Sequence, residues 1–457
     1  MKKYISSILF VFFFTSLLQA QTHVWNGNGG DSDWFNASNW EVGTIPDITS
    51  DVLISDGFIV ELITSEAEVN SISLEGSSSL MIFNNLEINN EVMVSALATL
   101  NFQKGVIDGG GVIINEGNFI LEAFETKELS NITINNNANL SVILSNQILT
   151  KNGFVLNNSE TGEIIIASNG AFFNQNTDAT LNNMGLLSKV SNGENDFGNY
   201  YLSLNVNNYG VINVDDNQTF LLLSQAIDFN NTETGIIEGN GVLDITANYT
   251  NSGTYSPGGN NVVGTLDIVN YLNFSVNSSA KIEIEGPNEG EYDRIAVTGF
   301  PTIEGNINID LKFAPVEGDE FVVITANNIT SCDLPEYLTA EFEGEEFYFE
   351  VICNNENVTL NVVSEILNTS DFSSKEMLFI IDSNPVKEEA RIFLDETFTD
   401  FENLSVVLYN YLGQEIKSQK VNASEIIFSR INVSSGLYIL QLKKENRVLA
   451  SQKVIFE

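Results

Sequence analysis

Between residues 84 and 255 one short pattern keeps returning: an apolar residue, then asparagine or a near substitute, then a turn that often holds glycine, then an alternating apolar strand. Its copies begin at Ile88, Ile113, Ile134, Leu156, Leu181, Val206, Phe229 and Tyr249, at intervals of 25, 21, 22, 25, 25, 23 and 20 residues. A unit of this size holds two or three short strands and cannot bury its own apolar side, so neighbours must stack into a continuous core. The spacing predicts a right-handed parallel β-helix, a solenoid whose eight turns at ~4.8 Å each would span about 40 Å. Asparagine suits the corners because it tolerates left-handed backbone and can hydrogen-bond to the asparagine of the next turn. Glycine is expected to relax the same corners. Alternation of period two in EIIIAS, YYLSLNVN and VINVDD, with no long stripe of period 3.6, makes the whole chain all-β.

The ends of a solenoid expose unpaired backbone and need cover. Upstream, residues 21–83 are expected to cap it, with Trp25, Trp34 and Trp40 supplying bulk. The repeats and a closing β segment are assigned to 84–365, a linker to 366–376, and a separate domain to 377–457. The first twenty residues read as an export signal: Lys2 and Lys3, an apolar run from Tyr4 to Leu18, and a small-residue cleavage site ending at Ala20. The run is shorter than the ~20 residues a bilayer span requires, and no later stretch competes with it, so no transmembrane span is expected after cleavage.

Charge divides the chain at about the same place. Residues 21–370 carry 48 acids and 7 bases, residues 371–457 carry 13 acids and 10 bases, and the net formal charge is −42. An acidic body repels nucleic acid and anionic lipid, which makes both poor partners and leaves cations and neutral glycans open.

Few residues offer catalysis. His23 is the single histidine and lies close to the cleavage site, where chains are usually poorly ordered, so a Ser-His-Asp triad or a multi-histidine zinc site is not expected. Arg294 and the scattered Lys104, Lys127, Lys151, Lys189, Lys281 and Lys312 form no cluster in sequence that would serve a polysaccharide lyase. Asp215-Asp216 and the Glu283/Glu285 pair are the carboxylates to weigh for a glycoside hydrolase, and solvated strand or turn residues are the simpler reading. The loop Asn26-Gly27-Asn28-Gly29-Gly30-Asp31-Ser32-Asp33 sets oxygen atoms at alternating positions, which makes Asp31 and Asp33 a weak calcium candidate beside the plain reading as a glycine-rich turn. No other cofactor is expected. Cys332 and Cys353, the only cysteines, favour a disulfide over a metal site in an exported chain, the other reading being two buried thiols.

Three stretches carry resemblances. The tryptophan-bearing segment VWNGNGGDSDWFNASNWEVGTIPDITSDVLI resembles the one that opens many autotransporter-like and filamentous-adhesin-like β-helix proteins. The stretch from Ser256-Pro257-Gly258 to FVVITA looks like the segment that follows stacked repeats in passenger-type adhesins. The strongest lies at the C-terminus: Asn384-Pro385-Val386, a strand around Ile392, VVLYNYLGQEIKSQKV with Gly413 in its turn, Ser435-Gly436-Leu437-Tyr438 and its strand, and VLASQKVIF with Lys453. It resembles the type A C-terminal sorting domain of the type IX secretion system of Bacteroidota-type bacteria. The strand and turn spacing there fits a small antiparallel β-sandwich. The resemblance implies recognition by the secretion machinery and delivery to the cell surface or the medium. Two functions then compete: an adhesin-like solenoid touching a glycan or cell-surface ligand, and a secreted polysaccharide-active enzyme.

Overall fold

The structure, a computed structural model, describes residues 21–457 except 123–124, 144–146, 168–170, 175–177, 192–199, 223–226, 270–271, 365–377, 383, 396–400, 402, 411 and 445–446. The expected signal segment and linker thus lie outside the described residues. The chain forms two compact units, residues 1–364 and 365–457. Apart from one 3₁₀ turn at Ala37–Asn39, every described element is a strand.

The first unit is a parallel β-solenoid with three strands per turn. One face is a twelve-stranded sheet from Ile59–Leu62 to Asn306–Leu311. A second runs through Val112–Asn115, Thr133–Asn136, Val155–Asn158, Thr180–Asn183, Asn205–Asn208, Asp228–Asn231 and Asn248–Asn251. The third includes Gly105–Asp108, Lys127–Ser130, Gln147–Lys151 and Thr219–Leu222. Inward residues align turn upon turn. On the Asn-marked face one column runs Val52, Ile72, Val92, Ile113, Ile134, Leu156, Leu181, Val206, Phe229 and Tyr249. All ten are buried, and stacking like side chains removes apolar surface from water without any contact distant in sequence.

That column corrects the first repeat. Ile113 pairs with Val92, whereas Ile88 pairs with Val69. Ile88-Asn89-Asn90 mimics the repeat but stands out of register. The solenoid also starts further upstream than the asparagines suggest: Ser50–Ile54 already pairs in parallel with Ala67–Leu74, and Ile59–Leu62 with Ser79–Ile82. In these early turns the inward position taken later by asparagine holds Ile54, Leu74 and Val94, which pair in line with Asn115.

Residues 25–40 hold a small tryptophan cluster. The Trp25 and Trp34 rings meet Trp40 edge-on at 4.9 and 5.0 Å, and Trp40 Nε1 donates to the Trp34 carbonyl at 2.8 Å. His23, expected near a loose terminus, is buried instead: it pairs with Val52, contacts Trp40 edge-on and shares a 3.1 Å hydrogen bond with Thr44 Oγ1. At the other end Glu320–Ala326 pairs antiparallel with Asn357–Val363, which continues into Glu345–Cys353 and Tyr337–Phe342. Reversing strand direction ends the parallel stack.

In the second unit, two antiparallel sheets share one core. One contains Phe379–Ile381, Glu389–Leu394 and Glu425–Ser429; the other contains Glu415–Lys420, Leu404–Asn410, Gly436–Lys444 and Arg447–Phe456. Ile392, Leu408, Phe428, Leu440, Leu442 and Val454 fill that core.

Candidate functional site

The Asn-Asn doublets build two ladders, one on each side of the same strands. The second asparagine of each doublet faces inward, in line with the single asparagines Asn115 and Asn251 at the two ends. Asn115, Asn136, Asn158, Asn183, Asn208 and Asn231 each donate Nδ2 to Oδ1 of the next, ending at Asn251, at 2.7–2.8 Å. All seven are buried. Their direction is held by the backbone: Asn183 Nδ2 also donates to the Val211 carbonyl, and Gly117 N–H donates to Asn115 Oδ1. A buried amide without partners costs about 1–3 kcal/mol, so the ladder is what makes a polar column tolerable in an apolar core.

None of these seven residues is left-handed; among the described asparagines of the first unit that conformation belongs to Asn131, Asn152, Asn217 and Asn261. The glycines that follow the doublets need revision too. At Gly185, Gly210 and Gly253 an added Cβ would overlap the carbonyl oxygen of Gly162, Gly185 and Gly235, respectively. Close approach of neighbouring turns, rather than positive φ, demands glycine there.

The first asparagine of each doublet faces outward. Asn157, Asn182, Asn207 and Asn230 donate Nδ2 to Oδ1 of Asn135, Asn157, Asn182 and Asn207 at 2.9–3.0 Å, and the Thr250 hydroxyl donates to Asn230 Oδ1. Beside this half-exposed ladder lies a row of corner residues, among them Asn137, Ser159, Met184, Tyr209 and Thr232. Each is pinned because its N–H donates to a carbonyl of the preceding turn. Two shallow grooves lie between ladder and corner row. One is lined by Ile114, Asn135, Asn137, Asn157, Ser159 and Met184. The other is lined by Tyr209, Asn230, Thr232, Glu233, Thr250 and Ser252, among others. Met184 and Tyr209, each 46% exposed, stand between them. The doublet itself was the signal for this surface, since neighbouring strand residues point to opposite faces.

The structure separates most of the remaining sequence candidates. Asp31 accepts from Asn36 and Asn39 side chains at 2.9 and 2.7 Å, which hold its carboxyl below the usual range, and Asp33 Oδ1 accepts from Phe35 N–H. Both carboxylates thus tie the loop to itself. Among the described residues no group of three or more His, Cys, Asp or Glu is placed to hold a metal. Cys332 and Cys353 form a disulfide with Cα atoms 6.4 Å apart, joining a late solenoid strand to the closing antiparallel sheet. Lys127 and Lys189 are buried, which their spacing did not signal. Burial pulls Lys127 down to about 8, and Lys189 Nζ donates to Gln218 Oε1 at 2.6 Å.

Glu283 is the one sequence-selected carboxylate in an unusual setting. It is 1% exposed, and neither carboxylate oxygen has a hydrogen-bond partner. Its backbone N–H donates to Asp293 Oδ2, and Gly264 N–H to Asp293 Oδ1. Burial pushes the Asp293 carboxyl up to about 7 against the pull of those two N–H groups. Burial likewise raises Glu283. Buried carboxyls with raised proton affinity are where acid catalysts are sought, but Asp293 is spent holding backbone and Glu283 presents no accessible oxygen.

In the second unit the C-terminal motifs converge. Asn384 Nδ2 donates to the Lys453 carbonyl at 2.9 Å and its Oδ1 accepts from Ile455 N–H at 2.8 Å. Val386 then continues the pairing, donating to Ile455 and accepting from Glu457. The Asn384-Pro385 bond is cis. The segment acts as a short neighbour to the last strand and covers part of its edge. Tyr438 packs edge-on against Phe456 at 5.6 Å and donates to the Ser434 carbonyl. Gly413 sits in a turn at φ 74°, braced by Asn410 Oδ1, which accepts from Leu412 and Gln414 N–H. Gly436 opens the strand opposite Phe456. Lys453 contributes its carbonyl to this lock while its side chain stays exposed.

Residues 383–457 match the family model of a secretion system C-terminal sorting domain. No curated protein matches the chain. The sorting domain indicates export through the type IX secretion system, out of the cell to its surface or the extracellular space.

Proposed function

We propose that this chain, which carries a type IX secretion sorting domain and therefore leaves the cell, works outside it as an adhesin-like β-solenoid that binds a glycan or other cell-surface ligand without cleaving it. The single observation that supports binding is the outward ladder: five amides and a hydroxyl in register on one stiff face, a repeated polar surface offered to solvent. Loops and pockets normally carry recognition on compact folds, whereas a solenoid recognises through an extended face. An N-terminal leader removed at Ala20, a source among Bacteroidota-type bacteria, and either anchoring or release after sorting belong to the same proposal.

The competing function is polysaccharide cleavage. Asp293, with its raised carboxyl, favours it, and the enclosure of Glu283 weighs against it. A glycan-array screen of the exported chain, with mass spectrometry of the supernatant over bound polysaccharides, separates the two. Binding without soluble products is the expected result. Saccharide products that vanish in Asp293→Asn would overturn the proposal.

A further inference from the structure

We infer that the outward asparagine ladder and the two grooves beside it form the binding track for an extended, uncharged polysaccharide, with Tyr209 and Met184 as its apolar contacts. The inference rests on the binding function proposed above and names the place and the ligand class. Each ladder amide spends one N–H and one lone pair on its neighbours, which leaves one donor and one acceptor per turn for a further partner. Sugar hydroxyls both donate and accept, so they match that alternation, whereas a purely anionic or purely cationic ligand does not.

Turns repeat at ~4.8 Å, roughly one residue of an extended β-linked sugar chain, and the six rungs from Asn135 to Thr250 make a track of about 24 Å. Tyr209, 46% exposed, stands at the junction of the grooves with the apolar Met184 on the adjacent turn, and an exposed aromatic ring can pack on the C–H faces of sugars. Charge selects against acidic chains: exposed Glu116, Glu160 and Glu233 lie on the turns beside the track, in a body of 48 acids and 7 bases. An extended peptide is a poorer fit, because the track presents side-chain amides and no free strand edge to pair with.

The test is calorimetric titration of the full exported chain with neutral trimers and hexamers of β-linked glucose, xylose and mannose, and with polygalacturonate. At least one neutral hexamer is expected to bind, more tightly than its trimer, and polygalacturonate is expected not to. Tyr209→Ala combined with Met184→Ala should weaken hexamer binding by about tenfold at unchanged melting temperature, since both side chains are already exposed. Failure of every neutral hexamer to bind, equal affinity of trimer and hexamer, or binding of polygalacturonate overturns the inference. Hexamer binding that the double variant leaves intact overturns this track alone and keeps the adhesin-like function. Release of cleaved sugar overturns both.

Discussion

The solenoid and the sorting domain both use asparagine side chains as substitutes for missing backbone partners, but over very different distances. In the solenoid each buried amide reaches the next turn, 20 to 25 residues away. In the sorting domain a single amide, that of Asn384, reaches residues 69 and 71 positions further on. The first arrangement is a sum of nearest-neighbour terms, where damage stays local. The second closes the domain by joining its beginning to its last strand, so damage there should cost the whole unit.

The sharpest way to break this comparison is to change neighbouring ladder residues. Asn183→Asp places a carboxylate against the acceptors Asn208 Oδ1 and Val211 O in a buried column, and should destabilise the solenoid by about 4 kcal/mol in urea unfolding. Asn182→Asp, one residue earlier on the outward face, should cost about 0.5 kcal/mol. Equal effects would mean that the two ladders do not differ in burial. Gly210→Ala tests the close approach of turns: its methyl would meet the carbonyl of Gly185 and should cost about 3 kcal/mol. Hydrogen exchange should confine the loss to the turns around residue 210.

A smaller effect with a wider reach is expected in the other unit. Asn384→Ala leaves Ile455 N–H and the Lys453 carbonyl without that partner, and should lower the sorting domain's stability by about 2 kcal/mol while the solenoid transition stays put. Exchange protection should fall across all its strands together, in contrast to Gly210→Ala. Lys453→Ala should leave that stability unchanged, because only its backbone takes part. A pH dependence is also expected in the solenoid's closing end. With a folded carboxyl at about 7 and an ordinary unfolded one near 3.8, Asp293 keeps a proton in the folded chain that the unfolded chain has already lost. Stability therefore falls as pH rises from about 4 to 7, by about 1 kcal/mol per pH unit well inside that range, and levels off above it; Asp293→Asn should flatten the titration.

Much of the architecture could be read from residue order. The recurring asparagines, doubled in the middle turns and single at Asn115 and Asn251, located the stacked turns from Ile113 to Tyr249, because a solenoid's contacts are local and each turn repeats its neighbour's requirements. The upstream turns were invisible for the same reason. Ile54, Leu74 and Val94 occupy the asparagine column with ordinary aliphatic residues, so no motif marked them, and Ile88-Asn89-Asn90 offered a false one. His23 was misjudged because nothing in its neighbourhood tells that Trp40 and Thr44 fold back over it.

The sequence by itself determined that the body and the C-terminal region are built of β-strands, that the body stacks, and that the C-terminal region is a sorting domain. Periodicity and ordered motifs survive without knowledge of distance. The tertiary structure decided which asparagine of each doublet is buried, and that the glycines serve close packing. It alone brought Asn384 to the last strand and buried the Glu283 carboxylate beside Asp293. Those outcomes depend on which turn lies above which, and register is a property of the assembled stack.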